Sequence, residues 1–299
     1  MSADHHFGAV ALVGRPNVGK STLLNRLIGQ RLSIVTRKPQ TTRQRLLGIL
    51  TRDDGQMLLV DTPGIHGGAR RAINRYMNRT AVGALDGVQA AVWVVDATHW
   101  REEDDRVLAA LERFREPVFV ALNKVDRVKQ REKLLPEIER LNKLREFEAI
   151  VPVCALDGDG VDELADEVMR SLPLGEPVYD EDDFTDASMR FLAAELVREQ
   201  LIMRLHQELP YRLAVSIEAF DDKPGRIVIG AVIWVESKSQ KGMVIGKNGE
   251  VLKAVGTRAR HAMEDLFGRS VHLDLWVKVR EGWSDDEQAL RQMGYGDAE

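Results

Sequence analysis

The sequence predicts an α/β domain, a mostly parallel sheet with helices on both faces, followed by a smaller α+β domain. Three observations predict this. Over the first 174 residues short β-rich runs alternate with helical stretches, as in a parallel sheet whose crossovers are helices. Leu172-Pro173-Leu174-Gly175-Glu176-Pro177 then interrupts the alternation, and the acidic run Asp180-Glu181-Asp182-Asp183 follows it. Beyond that break the order changes to helix, two strands, helix and strand. The expected boundaries are a first domain over 6–174, a linker over 175–187, a second domain over 188–283 and a tail over 284–299.

In the first domain the β-rich runs are 9–13, 45–50, 57–61, 90–96, 118–123 and 149–154. Each is a short, largely apolar run, as expected of strands covered on both faces. Helices are expected between them over 20–28, 71–85, 102–114, 131–145 and 161–171. In the second domain, 187–209 carries Leu192, Leu196, Val197, Leu201, Ile202, Leu205 and Leu209 at helical spacing. Runs 212–220 and 226–235 read as strands joined through Asp221-Asp222-Lys223-Pro224-Gly225. A helix over 250–267 and a strand over 271–279 complete the unit. Trp93 and Trp276, both on strands, are expected to pack in cores.

Of the 299 residues 44% are apolar and 30% charged, which excludes wholesale disorder. The longest aliphatic-rich run, 227–235, is broken by Gly230. It falls far short of the ~20 residues a membrane-spanning helix needs. Met1-Ser2-Ala3-Asp4-His5-His6 has no basic segment leading into an apolar one, so no export signal is expected. His5 and His6 are expected to be disordered, since adjacent histidines do not share a coordination face. The single cysteine, Cys154, excludes an internal disulfide and a cysteine-rich zinc site. These features predict a cytoplasmic protein.

The net charge of −5 weighs against nucleic acid, but the charge is segregated. From Glu236 to Arg260 stand Lys238, Lys241, Lys247, Lys253, Arg258 and Arg260, against only Glu236 and Glu250. This is a local basic surface on an acidic chain.

Three motifs carry the chemistry. Gly14-Arg15-Pro16-Asn17-Val18-Gly19-Lys20-Ser21 matches G-x-x-x-x-G-K-[ST] between a strand and a helix. Its backbone N–H groups and the helix N-terminus suit phosphate oxygens; Lys20 suits the β- and γ-phosphates, and the Ser21 hydroxyl suits Mg²⁺. Asp61-Thr62-Pro63-Gly64 ends a second strand, where Asp61 can hold Mg²⁺ through water and the Gly64 N–H can sense a γ-phosphate. Asn123-Lys124-Val125-Asp126 ends a third. A carboxylate at Asp126 accepts from guanine N1–H and N2 together, whereas adenine would leave it buried and unpaired. Together the three predict GTP and GDP as ligands.

With these motifs in this order the first domain resembles the translation-factor-related class of small GTPases. The resemblance implies a further base-contacting segment, Cys154-Ala155-Leu156, where that class carries Ser-Ala-x. Cysteine in place of serine leaves the Ala155 backbone as the expected contact. The resemblance also implies a threonine that closes over Mg²⁺, in Lys38-Pro39-Gln40-Thr41-Thr42-Arg43. We read it as Thr42, directly before the arginine, although spacing alone does not decide against Thr41. Lys20, Thr42 and Gly64 are then the catalytic set, and Ser21, Thr42 and Asp61 the metal set. Ile65 stands where Ras-like GTPases carry the glutamine that orients water, so slow intrinsic hydrolysis is expected.

In the second domain Gly246-Lys247-Asn248-Gly249 is a G-x-x-G loop between helical segments, preceded by Val244-Ile245 and flanked by Lys241. With two strands before it and one after, the order resembles a type II KH domain, whose loop clamps about four single-stranded nucleotides. One P-loop GTPase domain followed by one type II KH domain resembles the Era family of bacterial GTPases. The resemblance spans essentially the whole chain and includes Gln40-Thr41-Thr42-Arg43 and Gly282-Trp283-Ser284-Asp285-Asp286-Glu287. It implies a monomer that binds the 3′ region of 16S rRNA, not DNA, and acts on the 30S ribosomal subunit. It further implies peripheral association with the inner membrane. Asn17 occupies the phosphate-loop position at which potassium-stimulated relatives coordinate K⁺, and an asparagine that only shapes the loop is the equal alternative. An RNA-binding scaffold that uses GTP only as a conformational ligand is the alternative.

Overall fold

The computed structural model describes residues 5–36, 38, 41–65, 71–205 and 209–295. Two units emerge: one runs to Asp186 apart from segments 34–41 and 68–76, and the other takes those segments and the chain from Ala187 onward.

The first unit is built on β1 (His6–Val13), whose last four residues are buried and which leads through the glycine-rich loop into α1 (Lys20–Ile28). β2 (Leu46–Arg52) and β3 (Gly55–Asp61) form an antiparallel hairpin. α2 (Ala72–Gly83, which enters this unit at Met77), β4 (Ala90–Asp96), α3 (Glu102–Leu111), β5 (Val118–Asn123), α4 (Leu134–Leu144), β6 (Ala149–Val153) and α5 (Val161–Ser171) then alternate. The sheet order is β2-β3-β1-β4-β5-β6, and every pairing except β2 with β3 is parallel. The alternation thus gave the parallel sheet, and the short connection over Asp53-Asp54 forces the one antiparallel edge. β4 and β5 are buried at every position, which explains their continuous apolar sequence. Trp93 is fully buried against Trp100 and Phe147, as expected of a core residue.

Several elements differ from the expectation. His6 opens β1, and the Nδ1 atoms of His5 and His6 lie 2.9 and 2.6 Å from the carbonyl oxygens of Gly175 and Leu172, so these histidines are ordered. The segment read as a linker is pinned to the first unit. Gln56, fully buried, accepts from the N–H groups of Val178 and Tyr179 and donates to the Tyr179 carbonyl. Thr185 Oγ1 donates to Leu47 O at 2.6 Å.

The second unit comprises α6 (Met189–Arg204), β7 (Leu213–Lys223), β8 (Arg226–Val235), α7 (Lys238–Ile245), α8 (Glu250–Phe267), β9 (Ser270–Val279) and α9 (Glu287–Gln292). Ser188 caps α6 by accepting from Phe191 N. Residues 206–208, inside the helix expected over 187–209, lie outside the described residues. The sheet runs β7-β8-β9, with β7 antiparallel and β9 parallel to β8. Leu196, Val197 and Leu201 of α6 and Val255, Ala259 and Met263 of α8 share one core with Ile229, Ile233 and Val277 of the sheet. Trp276 is on the other face of β9 and is 50% exposed, contrary to the packing expected for it. Alternation along a strand places Val277 inward and therefore Trp276 outward. In the segment read as a tail, α9 is ordered and Ala289 and Leu290 are buried.

Candidate functional site

Strand order turns at β1, between β3 and β4, so the loops after β1, β3, β4 and β5 open at one edge of the sheet, where open α/β sheets bind ligands. The phosphate loop holds Asn17 in a left-handed conformation (φ 63°) and buries Val18. Lys20 is buried and donates from Nζ to Gly14 O at 2.9 Å and Arg15 O at 3.1 Å. Burial pulls its ammonium down to about 8, against the attraction of Asp61.

Three oxygens converge beside Lys20. Ser21 Oγ donates to Asp61 Oδ2 at 2.7 Å and lies 2.9 Å from Thr42 Oγ1. Ser33 Oγ, which sequence reasoning missed, also donates to Asp61 Oδ2 at 2.7 Å. Asp61 is fully buried, and its Oδ1 has no hydrogen-bond partner among the described residues. Burial pushes its carboxyl up, against the pull of Lys20. An all-oxygen set around an unsatisfied carboxylate oxygen fits a hard divalent cation such as Mg²⁺. Thr41 instead lies 2.7 Å from Thr36 Oγ1 and donates to Lys38 O. Pro39 and Gln40 of the same segment lie outside the described residues.

The loop after β3 packs on the phosphate loop. Thr62 Oγ1 donates to Leu12 O, and a Cβ on Gly64 would lie 2.5 Å from Pro16 N, so no larger residue fits beside Pro63. Ile65 is buried, and its N–H points to Gly14 O at 3.4 Å.

The loop after β5 ties three segments together. Asn123 Nδ2 donates to Val18 O at 2.8 Å, and its Oδ1 accepts from Lys124 N and Ala155 N. Asn123 thus fixes the Ala155 backbone, from which a contact to the base is expected. Val125 and Asp126 begin a 3₁₀ turn after Lys124. Cys154 Sγ lies 3.3 Å from Asp126 Oδ1, and burial pushes its thiol up. Leu156 is exposed, and Arg26 donates to its carbonyl. Asp96 and Asp104, also missed, flank Arg15 and Lys124. The available signal was an acidic residue ending β4 just as Asp61 ends β3.

In the second unit α7 stops at Gly246 (φ 76°), where a Cβ would lie 2.5 Å from Val251 Cγ2. Lys247, Asn248 and Gly249 form a single turn that starts α8, with Asn248 at φ 52°. The Lys247 and Asn248 side chains are exposed, and Lys241 is half-buried one turn earlier. The geometry presents backbone and one cation without bulk, which suits a nucleic-acid phosphate.

The fold and the site define a P-loop GTPase joined to a KH domain, and comparison with known proteins agrees. Residues 9–124 match the family model described as 50S ribosome-binding GTPase, and 208–284 match the KH domain. The chain is 51% identical to GTPase Era of Stenotrophomonas maltophilia, over 97% of this chain and 98% of that one. It is 52% identical to GTPase Era of Xanthomonas oryzae pv. oryzae, over 98% of each. A variant of Aquifex aeolicus Era solved with GDP and AlF4⁻ superposes with a TM-score of 0.93 at 38% identity, over 98% of this chain and all of that one. An Era structure solved with MgGDPNP and nucleotides 1506–1542 of 16S ribosomal RNA matches with the same score, identity and coverage. The chain belongs to the Era family of GTPases.

Proposed function

We propose that this GTPase binds GTP with Mg²⁺, hydrolyses it slowly, and uses the nucleotide state to set its hold on the 3′ region of 16S rRNA during 30S subunit assembly. The observation that carries the reading is the convergence of Thr42 and Asp61 on Ser21 Oγ, at 2.9 and 2.7 Å, next to buried Lys20.

Lys20 and the N–H groups of residues 17–21 cradle the phosphates, Gly64 N–H faces the γ-phosphate, and Asp126 reads guanine. Ser21, Thr42 and Asp61 would hold Mg²⁺, which would supply positive charge to the phosphoryl oxygens. Buried Ile65 has no group to orient water, so acceleration rests on Lys20 and on whatever RNA or a partner adds. The 246–249 loop clamps single-stranded RNA, a reading supported by the related Era solved with a 16S fragment. The 50S description attaches to the family match of the first domain alone, and the small subunit is favoured by the related Era solved with a 16S fragment.

We place the protein in the cytoplasm as a monomer without a DNA partner. No helix among the described residues is long and apolar enough to cross a membrane. Peripheral association with the inner membrane would not use the apolar side of α6, because Leu196, Val197 and Leu201 lie in the core.

Multiple-turnover phosphate release, with and without an oligonucleotide matching the 16S 3′ end, tests the proposal. Turnover that rises with RNA, and co-sedimentation with 30S in preference to 50S subunits, are expected. Binding of GTP with no turnover under either condition would favour the scaffold reading, which buried Ile65 keeps in view.

A further inference from the structure

We infer that Asp96, which lies outside the motifs above, is a positioning residue of the nucleotide site. It holds Lys124 so that the phosphate loop and the base-reading loop stay joined in strained conformations. The inference rests on reading this site as a guanine-nucleotide pocket.

Asp96 ends β4, which lies between β1 and β5, the strands that deliver those two loops. It is buried. Thr98 fixes its Oδ1 through N–H at 3.0 Å and Oγ1 at 2.6 Å. Its Oδ2 accepts from Lys124 Nζ at 2.7 Å. The same Nζ donates to Asn17 O at 2.7 Å. Asn17 (φ 63°) and Lys124 (φ 68°) are two of only three non-glycine residues with positive φ among the described residues. Such backbone persists where its surroundings over-determine it. One ammonium therefore bridges a strained residue in each loop, and Asp96 holds that ammonium in place.

Arg15 does not depend on Asp96 for its place. Its Nε donates to Asp104 Oδ2 at 2.8 Å and its Nη2 to His99 O at 3.0 Å, while the Nη2–Asp96 distance is 3.6 Å. Removing the Asp96 charge thus releases Lys124 and leaves Arg15 anchored. The tie touches neither the γ-phosphate side of the site nor the Asp126 carboxylate that reads the base. Its loss should speed release of diphosphate and triphosphate alike and leave the chemical step and base preference in place.

The test uses the full-length protein and fluorescent GDP and GTP analogues. Asp96→Asn, which preserves shape, should raise both dissociation rates by about tenfold or more, as expected for a lost charge-assisted hydrogen bond. Single-turnover hydrolysis by the bound fraction should stay within about twofold, and the affinity ratio of GDP to IDP should not move. Asp96→Glu should recover most of the slow release. Added to Lys124→Met, Asp96→Asn should have no further effect, because both remove one interaction. A merely structural defect would shrink the bound fraction without changing its release rate. If Asp96→Asn does not fold, Thr98→Val provides the same comparison with a smaller acceleration. Unchanged release rates in a folded variant, or additive effects in the double mutant, would overturn the inference. Failure of the wild type to bind either analogue would instead overturn the guanine-nucleotide reading.

Discussion

A Cβ on Gly19 would overlap Asn123 Nδ2, the amide that donates to Val18 O at 2.8 Å. The phosphate loop and the base-reading loop meet at a point that only glycine allows, and φ 113° at Gly19 adds a second reason. Gly19→Ala should weaken GDP and GTP by about 2–3 kcal/mol, through backbone strain plus one lost hydrogen bond. Isothermal titration calorimetry measures it; wild-type affinity in this variant would mean the contact does not shape the site.

Guanine selectivity should reside in Asp126. Asp126→Asn should cost GTP binding about 2–3 kcal/mol and favour xanthosine triphosphate, whose C2 oxygen accepts from the new amide. A competition assay between the two nucleotides checks this. No loss for GTP and no gain for the xanthine nucleotide would refute the assignment.

Cys154 gives a pH signature. Burial raises its thiol above the ordinary value of 9.0, and Asp126 Oδ1 and Asp157 Oδ2 accept from it at 3.3 and 3.4 Å. A raised folded-state pKa contributes stability that is present below pH 9 and is lost as pH climbs through the folded value. The stability difference between wild type and Cys154→Ser should therefore shift in favour of the serine variant between pH 7 and pH 10. Urea unfolding at the two pH values reads it; a constant difference would place Cys154 in an ordinary thiol environment.

Asn17 should make turnover respond to a monovalent cation. If K⁺ sits beside the β–γ bridge, it supplies part of the charge that an arginine finger provides elsewhere. Phosphate release should be faster in potassium than in sodium buffer of equal ionic strength, and Asn17→Ala should remove the difference. Equal rates for wild type in both buffers would dismiss the cation.

The KH loop should hold RNA by close backbone approach as much as by charge. Gly246→Asp introduces a Cβ 2.5 Å from Val251 Cγ2 and a negative charge where a phosphate would lie, and should nearly abolish binding to a 16S 3′-end oligonucleotide. Lys247→Ala should lower the salt slope by roughly one phosphate contact. GTP affinity without RNA should be unchanged in both. Salt titrations of RNA binding decide the matter, and wild-type behaviour in both variants would remove the second domain as the RNA reader.

What the sequence by itself determined is the set of features written into short stretches of backbone. β4, β5, α1, α5, β8 and α8 lie at the expected bounds, because apolar runs and glycine stops act within one element. The phosphate, magnesium and base motifs were legible for the same reason: each is a loop whose chemistry is local. What only the tertiary structure decided are contacts between residues far apart in the chain. Ser33 on Asp61, Asp96 on Lys124, and Gln56 holding Tyr179 span 28, 28 and 123 residues. No periodicity encodes such pairs, because each depends on which strands the sheet sets side by side. The choice between Thr41 and Thr42 was open for the same reason. Two adjacent hydroxyls are equivalent in sequence, and only the folded loop brings Thr42 to Ser21 while turning Thr41 toward Thr36.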